Sequence, residues 1–293
     1  MCLVALALDA HERYPLVVAA NRDEHHARAT AALGWWTPAP TAAPVLGGRD
    51  LVAGGTWLGL TAAGRLALLT NIRAPQPNDP AAPSRGRIVT DWLATDQPID
   101  TFWEHVAAQR HNGFNLVVAD LPGAGWFWAS SAGRAPQPIA AGIHAISNAA
   151  LDTPWPKTEK LKARLAEALR AADSLDALSQ ALFAALADRS RAADAQLPET
   201  GLPIEVERGL SSAFVDVPER GYGTRSSTLL IAELATSGMR THVIERSFGP
   251  PGQGAVTTRR MVLEDWPPRL SVKGPAPSPR AGYRPPRRPV RAH

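Results

Sequence analysis

Cysteine is nearly absent from this chain: one residue in 293, at position 2. That excludes an internal disulfide framework and any zinc motif built on cysteine pairs, and it fits a reducing compartment, so a cytoplasmic location is expected. Long apolar runs are missing too. No stretch approaches the roughly 20 residues that span a bilayer, so no transmembrane segment is expected. The opening Leu3–Leu8 run stops at Asp9 and has no basic leader, which argues against a signal peptide. Glycine-rich phosphate motifs are also lacking, because Gly221-Tyr222-Gly223 has neither the preceding strand nor the following helix that such a loop needs.

Acidic residues are absent from one region. Residues 267–293 hold seven Lys or Arg, eight prolines and no acid, while the whole chain has a net charge of only +4, so residues 1–266 are net acidic. With so few large apolar side chains, this segment cannot offset its ordering entropy and is expected to be a disordered basic tail with no specific nucleic-acid partner. Residues 1–266 are expected to form a single domain, and 45% hydrophobic content supplies a substantial core.

What is present starts with two apolar runs, Leu3–Leu8 and Pro15–Ala20, joined by a polar turn. Both are apolar at consecutive positions, the pattern of strands covered on both faces. Pairing them as a hairpin puts Cys2 opposite Asn21, with Arg22 and Asp23 just beyond. If the initiator methionine is removed, Cys2 carries both a thiol and a free α-amine, a nucleophile and a base in one residue.

Residues 50–71 read as a glycine-punctuated meander ending at Leu69-Thr70-Asn71, and helices are expected over 85–94 and 100–109. Strands return at 114–120, 126–130 and 143–148, the last ending on Asn148. Leucines at four-residue spacing mark packing helices over 157–172 and 174–188. Residues 192–215 read as irregular, and three strands, 225–234, 240–248 and 256–264, close the chain. Segregated runs of strands and helices indicate an α+β fold with mostly antiparallel sheets and outer helical layers. Asn71, at the end of a core strand, could donate to an oxyanion, and Asn148 ends its strand in the same way. Asp23-Glu24-His25-His26 is not expected to hold a metal, since adjacent residues rarely converge on one ion. Most of the nine tryptophans, notably Trp35-Trp36, Trp57 and Trp126 with Trp128, are expected in the core, and some could line an apolar acyl or tetrapyrrole pocket.

Ten short motifs occur in one order: Met1-Cys2, Asn21-Arg22-Asp23-Glu24, Gly54-Gly55-Thr56-Trp57-Leu58-Gly59, Leu69-Thr70-Asn71, Asn112-Gly113-Phe114-Asn115-Leu116, Ser147-Asn148-Ala149, Thr153-Pro154-Trp155, Ala195-Gln196-Leu197-Pro198, Gly221-Tyr222-Gly223-Thr224-Arg225 and Glu245-Arg246-Ser247. Together they resemble the NRDE family, also called the transport-and-Golgi-organisation protein 2 family, itself similar to the N-terminal-nucleophile (Ntn) cysteine amidases. The resemblance implies a four-layer αββα sandwich. It also implies Cys2 as nucleophile, Asp23 as the carboxylate that orients its amine, Asn71 and Asn148 as oxyanion donors, and Arg225 as a polar residue facing the site. The amidases' Arg-Asn-x-Asp run is matched only at Asn21 and Asp23; Ala20 stands where their arginine would be, and Arg22 would supply that charge from a different position. The activity implied is hydrolysis or acyl transfer on a small amide or thioester, without a cofactor. The alternative implied by the family is a binding or carrier role for haem or acyl-lipid ligands.

Overall fold

The computed structural model describes residues 2–123, 125–236, 238–249 and 255–268. The expected basic tail therefore falls almost wholly outside the described residues. In the first half of the chain, β1 (Cys2–Leu8), β2 (Leu16–His25), β3 (Thr30–Trp36), β4 (Val45–Asp50), β5 (Leu58–Thr61) and β6 (Arg65–Asn71) precede helices α1 (Arg85–Ala94) and α2 (Ile99–Ala107). The middle contains β7 (Phe114–Asp120), β8 (Gly125–Ser130), β9 (Arg134–Pro138), β10 (Gly142–Ile146), α3 (Pro156–Ala171) and α4 (Leu175–Leu186). A short α5 (Ile204–Gly209), the two-residue β11 (Asp216–Val217), β12 (Tyr222–Ala235), β13 (Gly238–Ser247) and β14 (Thr257–Glu264) complete the described fold.

These strands form two sheets, one ordered β10-β1-β2-β12-β13-β14 with β11 paired to β12, the other running β3 through β9 in chain order. Every strand pair among the described residues is antiparallel. Strand periodicity explains the layers. Along β1, Val4, Leu6 and Leu8 enter the core between the sheets, while Leu3, Ala5 and Ala7 face the leucines of α3 and α4. On the other sheet Ala67, Leu69, Leu116 and Val118 face α1 and α2. The result is the expected αββα sandwich, and strands apolar on both faces were its signature.

Local differences from the sequence reading have simple causes. Residues 51–54 form a turn instead of a strand, with Asp50 Oδ1 accepting from the backbone N–H of Val52 and Ala53. Residues 192–215 are not wholly irregular, since α5 lies among them. Ser174 caps α4 through the Ala177 N–H at 3.2 Å, whereas Ser84 makes no side-chain cap on α1. Trp35 stays 45% exposed, in contrast to the buried Trp92, Trp128 and Trp266.

Candidate active site

The register of the first hairpin decides which side chains meet. Leu8 pairs with Leu16, so Cys2 stands opposite Arg22 and Leu3 opposite Asn21, one residue away from the expected pairing. The connection over residues 9–15 is longer than the hairpin arithmetic allowed; it is closed by Asp9 N–H donating to the Pro15 carbonyl at 2.7 Å, with Asp9 in the left-handed region at φ 48°. A one-residue slip reverses every face. Arg22 therefore shares the inter-sheet face with Cys2, while Asn21 points towards the helices.

Asn21 is a structural clamp. Its amide donates to the carbonyls of Leu186 and Ala213, both at 2.8 Å, and accepts from the Ser227 hydroxyl at 2.6 Å, tying the end of α4 to the sheet. Asp23 pairs across the sheet with Thr224, whose hydroxyl donates to its carboxylate at 2.7 Å. The Asp23 carboxyl is buried, and burial pushes its pKa up against the opposing pull of Lys157, the Thr224 hydroxyl and Arg73.

A cavity of about 420 Å³ opens over Cys2. Its wall includes Arg22, Asp23, Glu24, Arg28, Asp50, Trp57, Asn71, Arg85 and Tyr222. The Arg22 guanidinium lies 4.2 Å from the centre of the Trp57 ring, a cation–π contact that holds a buried charge beside the thiol. Burial raises the pKa of the Cys2 thiol; Arg22 and a hydrogen bond from the Asp23 backbone N–H oppose that rise. Burial thus favours the thiol over the thiolate.

Asn71 reaches the cavity at the end of β6, and its side chain makes no hydrogen bond among the described residues. Asn148 behaves differently. Its amide donates to the Asn71 backbone carbonyl at 2.8 Å, and its oxygen faces Arg73 Nη2 at 3.4 Å and the Ser147 hydroxyl at 3.1 Å. Asn148 does not line the cavity and instead positions Asn71. Ser147 donates to the Cys2 carbonyl at 3.0 Å, fastening the first strand to the end of β10.

Arg225 departs from the sequence expectation. It sits where the β2–β12 register shifts between Thr224 and Ser226, and its Nη1 donates to the carbonyls of His25, His26 and Arg28 at 2.9–3.1 Å. This bulge turns its guanidinium onto the β2–β3 turn, away from the cavity wall. His25 packs edge-on against Tyr222, ring centroids 5.1 Å apart, and Tyr222 donates from its hydroxyl to the Asp23 carbonyl oxygen at 3.0 Å.

Sequence reasoning missed a buried electrostatic group behind Asp23. Lys157, in the first turn of α3, donates from Nζ to the Leu210 carbonyl at 3.0 Å, and burial lowers its pKa to about 8. Arg73 forms a fully buried ion pair with Glu207 of α5 and stacks 4.7 Å from the Trp155 ring centre. Burial lowers the Arg73 pKa, with Glu207 opposing. The signal available in the sequence was a lysine at the start of an amphipathic helix, which ordinarily reads as surface. Arg28 and Arg85 were also missed, because loop and helix-start arginines carry no periodic signal. Among the described residues no group of His, Cys, Asp or Glu is arranged to hold a metal ion.

A second cleft of about 320 Å³ adjoins the cavity through His25 and Tyr222, and its lining includes Leu202, Val206, Leu210 and Val217. A thiol at the start of a central strand, beside a cation and an amide and backed by a buried carboxyl, has the parts for nucleophilic attack on a carbonyl. The family profile of Transport and Golgi organisation 2 matches residues 1–250. The chain belongs to that family. It is 34% identical over 253 residues to the Transport and Golgi organization protein 2 homolog of Bos taurus, covering 80% of this chain and 89% of the relative. The Homo sapiens homolog is also 34% identical, over 251 residues, with the same coverage. The Drosophila melanogaster protein is 27% identical over 281 residues, covering 85% of this chain and 92% of the relative. Among solved structures, a Caenorhabditis elegans N-acylethanolamine-hydrolyzing acid amidase ortholog aligns at TM-score 0.47 and 10% identity over 79% of this chain and 92% of its own. A mutant of the conjugated bile acid hydrolase from Clostridium perfringens aligns at TM-score 0.44 and 7% identity, over 94% and 100%.

Proposed function

We propose that this member of the Transport and Golgi organisation 2 family is an N-terminal cysteine amidohydrolase or acyl-transfer enzyme, active on a small amide or thioester once Met1 has been removed. The observation that carries the reading is the position of Cys2, at the head of β1 and on the wall of the cavity with Arg22 directly opposite. Its single cysteine also favours a reducing compartment, and we place its action in the cytoplasm on that ground.

In this mechanism the α-amine of Cys2 takes the thiol proton, and the sulfur attacks the substrate carbonyl carbon. The carbonyl π electrons move to oxygen, and the Asn71 side-chain amide donates to that oxyanion. The intermediate collapses to an S-acyl cysteine as the leaving amine or thiol departs with the proton held by the α-amine. Water then attacks the acyl carbon, gives its proton to the same amine, and releases a carboxylic acid as the thiol is restored. Asp23 orients the ammonium form, Arg22 favours the thiolate, and Asn148 keeps Asn71 in place. Arg225 supports the β2–β3 turn and takes no part in the chemistry.

Intact-mass measurement tests the requirement directly, with loss of one methionine expected; a retained Met1 overturns the mechanism. With Met1 gone, Cys2→Ser and Asp23→Asn should abolish turnover across an amide and thioester panel, and unchanged rates would assign the chemistry elsewhere.

The apolar cleft next to Tyr222 favours one second reading, a carrier of acyl-lipid or haem ligands on the same scaffold. That reading requires Cys2→Ala to retain saturable affinity for an acyl-lipid or haem in a protein with no turnover. Absence of saturable binding removes it.

A further inference from the structure

The cavity wall carries three arginines and three carboxylates, but the carboxylates are not evenly shared among the arginines. Asp50 is committed to Arg28, which reaches its Oδ2 from Nε at 3.0 Å and Nη2 at 2.7 Å, while its Oδ1 takes the backbone N–H groups of Val52 and Ala53. Glu24 lies between Arg22 and Arg28, at 3.7 and 3.9 Å, and its other oxygen accepts from the His25 N–H. Two carboxylates therefore serve two arginines. Arg85, half-buried on the same wall, forms no ion pair among the described residues; its Nη1 donates only to the Gly113 carbonyl at 3.0 Å. Asp23 does not redress this, because its carboxylate answers Thr224 and the field of Lys157 and Arg73.

The position of Arg85 is built in. Gly55 and Gly86 bring the start of α1 against the β4–β5 connection, with Thr56 N–H donating to the Gly86 carbonyl at 3.2 Å. A side chain on Gly55 would overlap the Gly86 backbone, so this close approach needs glycine. Ser84, Gly86 and Thr56 then share the cavity wall with Arg85, facing Arg22 and Cys2. A guanidinium with unused donors in a partly dry cavity is matched by a planar carboxylate or a phosphate, either of which it can grip through two N–H groups.

We infer that Arg85, with Arg22 beside the thiol, forms an anion subsite, and that the substrate is an amide or thioester bearing a carboxylate or phosphate group. This deepens the hydrolase reading and rests on it for the reacting bond, but the charge selectivity can be read without turnover.

The test uses full-length Cys2→Ala protein titrated by calorimetry with three probes: N-decanoylglycine, its neutral counterpart N-decanoylglycinamide, and N-decanoyl-O-phosphoethanolamine. The expected result is at least tenfold tighter binding of the charged probes, about 1.4 kcal/mol, narrowing as salt is raised. Arg85→Gln should bring the charged-to-neutral ratio close to one, while Arg85→Lys, which keeps the charge, should retain most of it. That pair separates charge from the structural bond to Gly113. The carboxylate and phosphate probes, ranked against each other, identify which anion the subsite prefers. Equal binding of charged and neutral probes, no binding of either charged probe, or a ratio unchanged by Arg85→Gln overturns the proposal. If selectivity is present but Met1-free protein with Cys2 intact cleaves no probe, the hydrolase reading falls and the anion subsite stands. If the probes are cleaved without charge preference, the anion subsite falls and the hydrolase reading stands.

Discussion

Cys2 and Arg22 face each other across the β1–β2 pair, and the Trp57 ring holds the guanidinium in place 4.2 Å from its centre. The thiol is thereby placed between two opposing influences, burial that keeps its proton and a cation that eases its release. The alkylation rate by iodoacetamide should rise with pH through a midpoint above that of an ordinary thiol, about 8.5. Arg22→Gln should move the midpoint higher still and slow alkylation several-fold at neutral pH. An unchanged profile in Arg22→Gln would show that the cation does not act on the sulfur.

The two asparagines should separate cleanly. Asn71→Ala removes a cavity-facing amide that has no hydrogen bond among the described residues, so kcat should fall by about 10²–10³ with stability nearly unchanged. Asn148→Ala leaves the Asn71 carbonyl without its 2.8 Å partner and should cost about 1–3 kcal/mol of stability as well as turnover. Urea denaturation alongside steady-state kinetics distinguishes the two patterns. Equal stability losses in both variants would contradict these assignments.

Lys157 gives a pH signature. Its folded pKa, about 8, lies below the ordinary value of 10.5, so the folded state gives up this proton first. The cost of burying the charge is fully present below about pH 8 and is relieved as pH rises towards 10.5. Relative to Lys157→Met, the unfolding free energy of the wild type should therefore increase by about 3 kcal/mol between pH 7.5 and 10.5. A pH-independent difference between the two proteins would refute the depressed pKa.

Gly55→Ala tests how tightly α1 is docked. The added methyl would collide with the Gly86 backbone, at a cost of about 2–3 kcal/mol, and would push the helix start away from the cavity. Thermal or urea denaturation measures the first effect, and charged-probe affinity measures the second. A variant of native stability would mean that this approach is looser than the structure has it.

Much of the architecture was legible because burial on both faces leaves consecutive apolar residues in β1, β2 and β7, and because the leucine spacing of α3 and α4 has no rival reading. The edge strands β3 and β9 were not legible: they carry mixed, partly exposed residues. In the site, Cys2, Asp23 and Asn71 could be found from the end positions of strands. The partner of Cys2 could not, since it depends on one residue in the length of the connection over 9–15. Arg225, placed at the site by the family resemblance, instead sits at a register shift and donates to the β2–β3 turn. Arg85, Lys157 and Glu207 belong to helices whose charges gave no hint that Arg85 lines the cavity or that Lys157 and Glu207 are buried.

The order of the strands also has a temporal consequence. β1 lies between β10 and β2, and Asp23 on β2 is completed by Thr224 on β12, so the groups around Cys2 span more than two hundred residues of chain. A chain growing on the ribosome exposes its thiol first and acquires Asn71, Ser147 and Thr224 in turn. Until β12 has been synthesised, the Cys2 thiol lacks the neighbours that the proposed chemistry would need, so that chemistry would be withheld from a protein still being made.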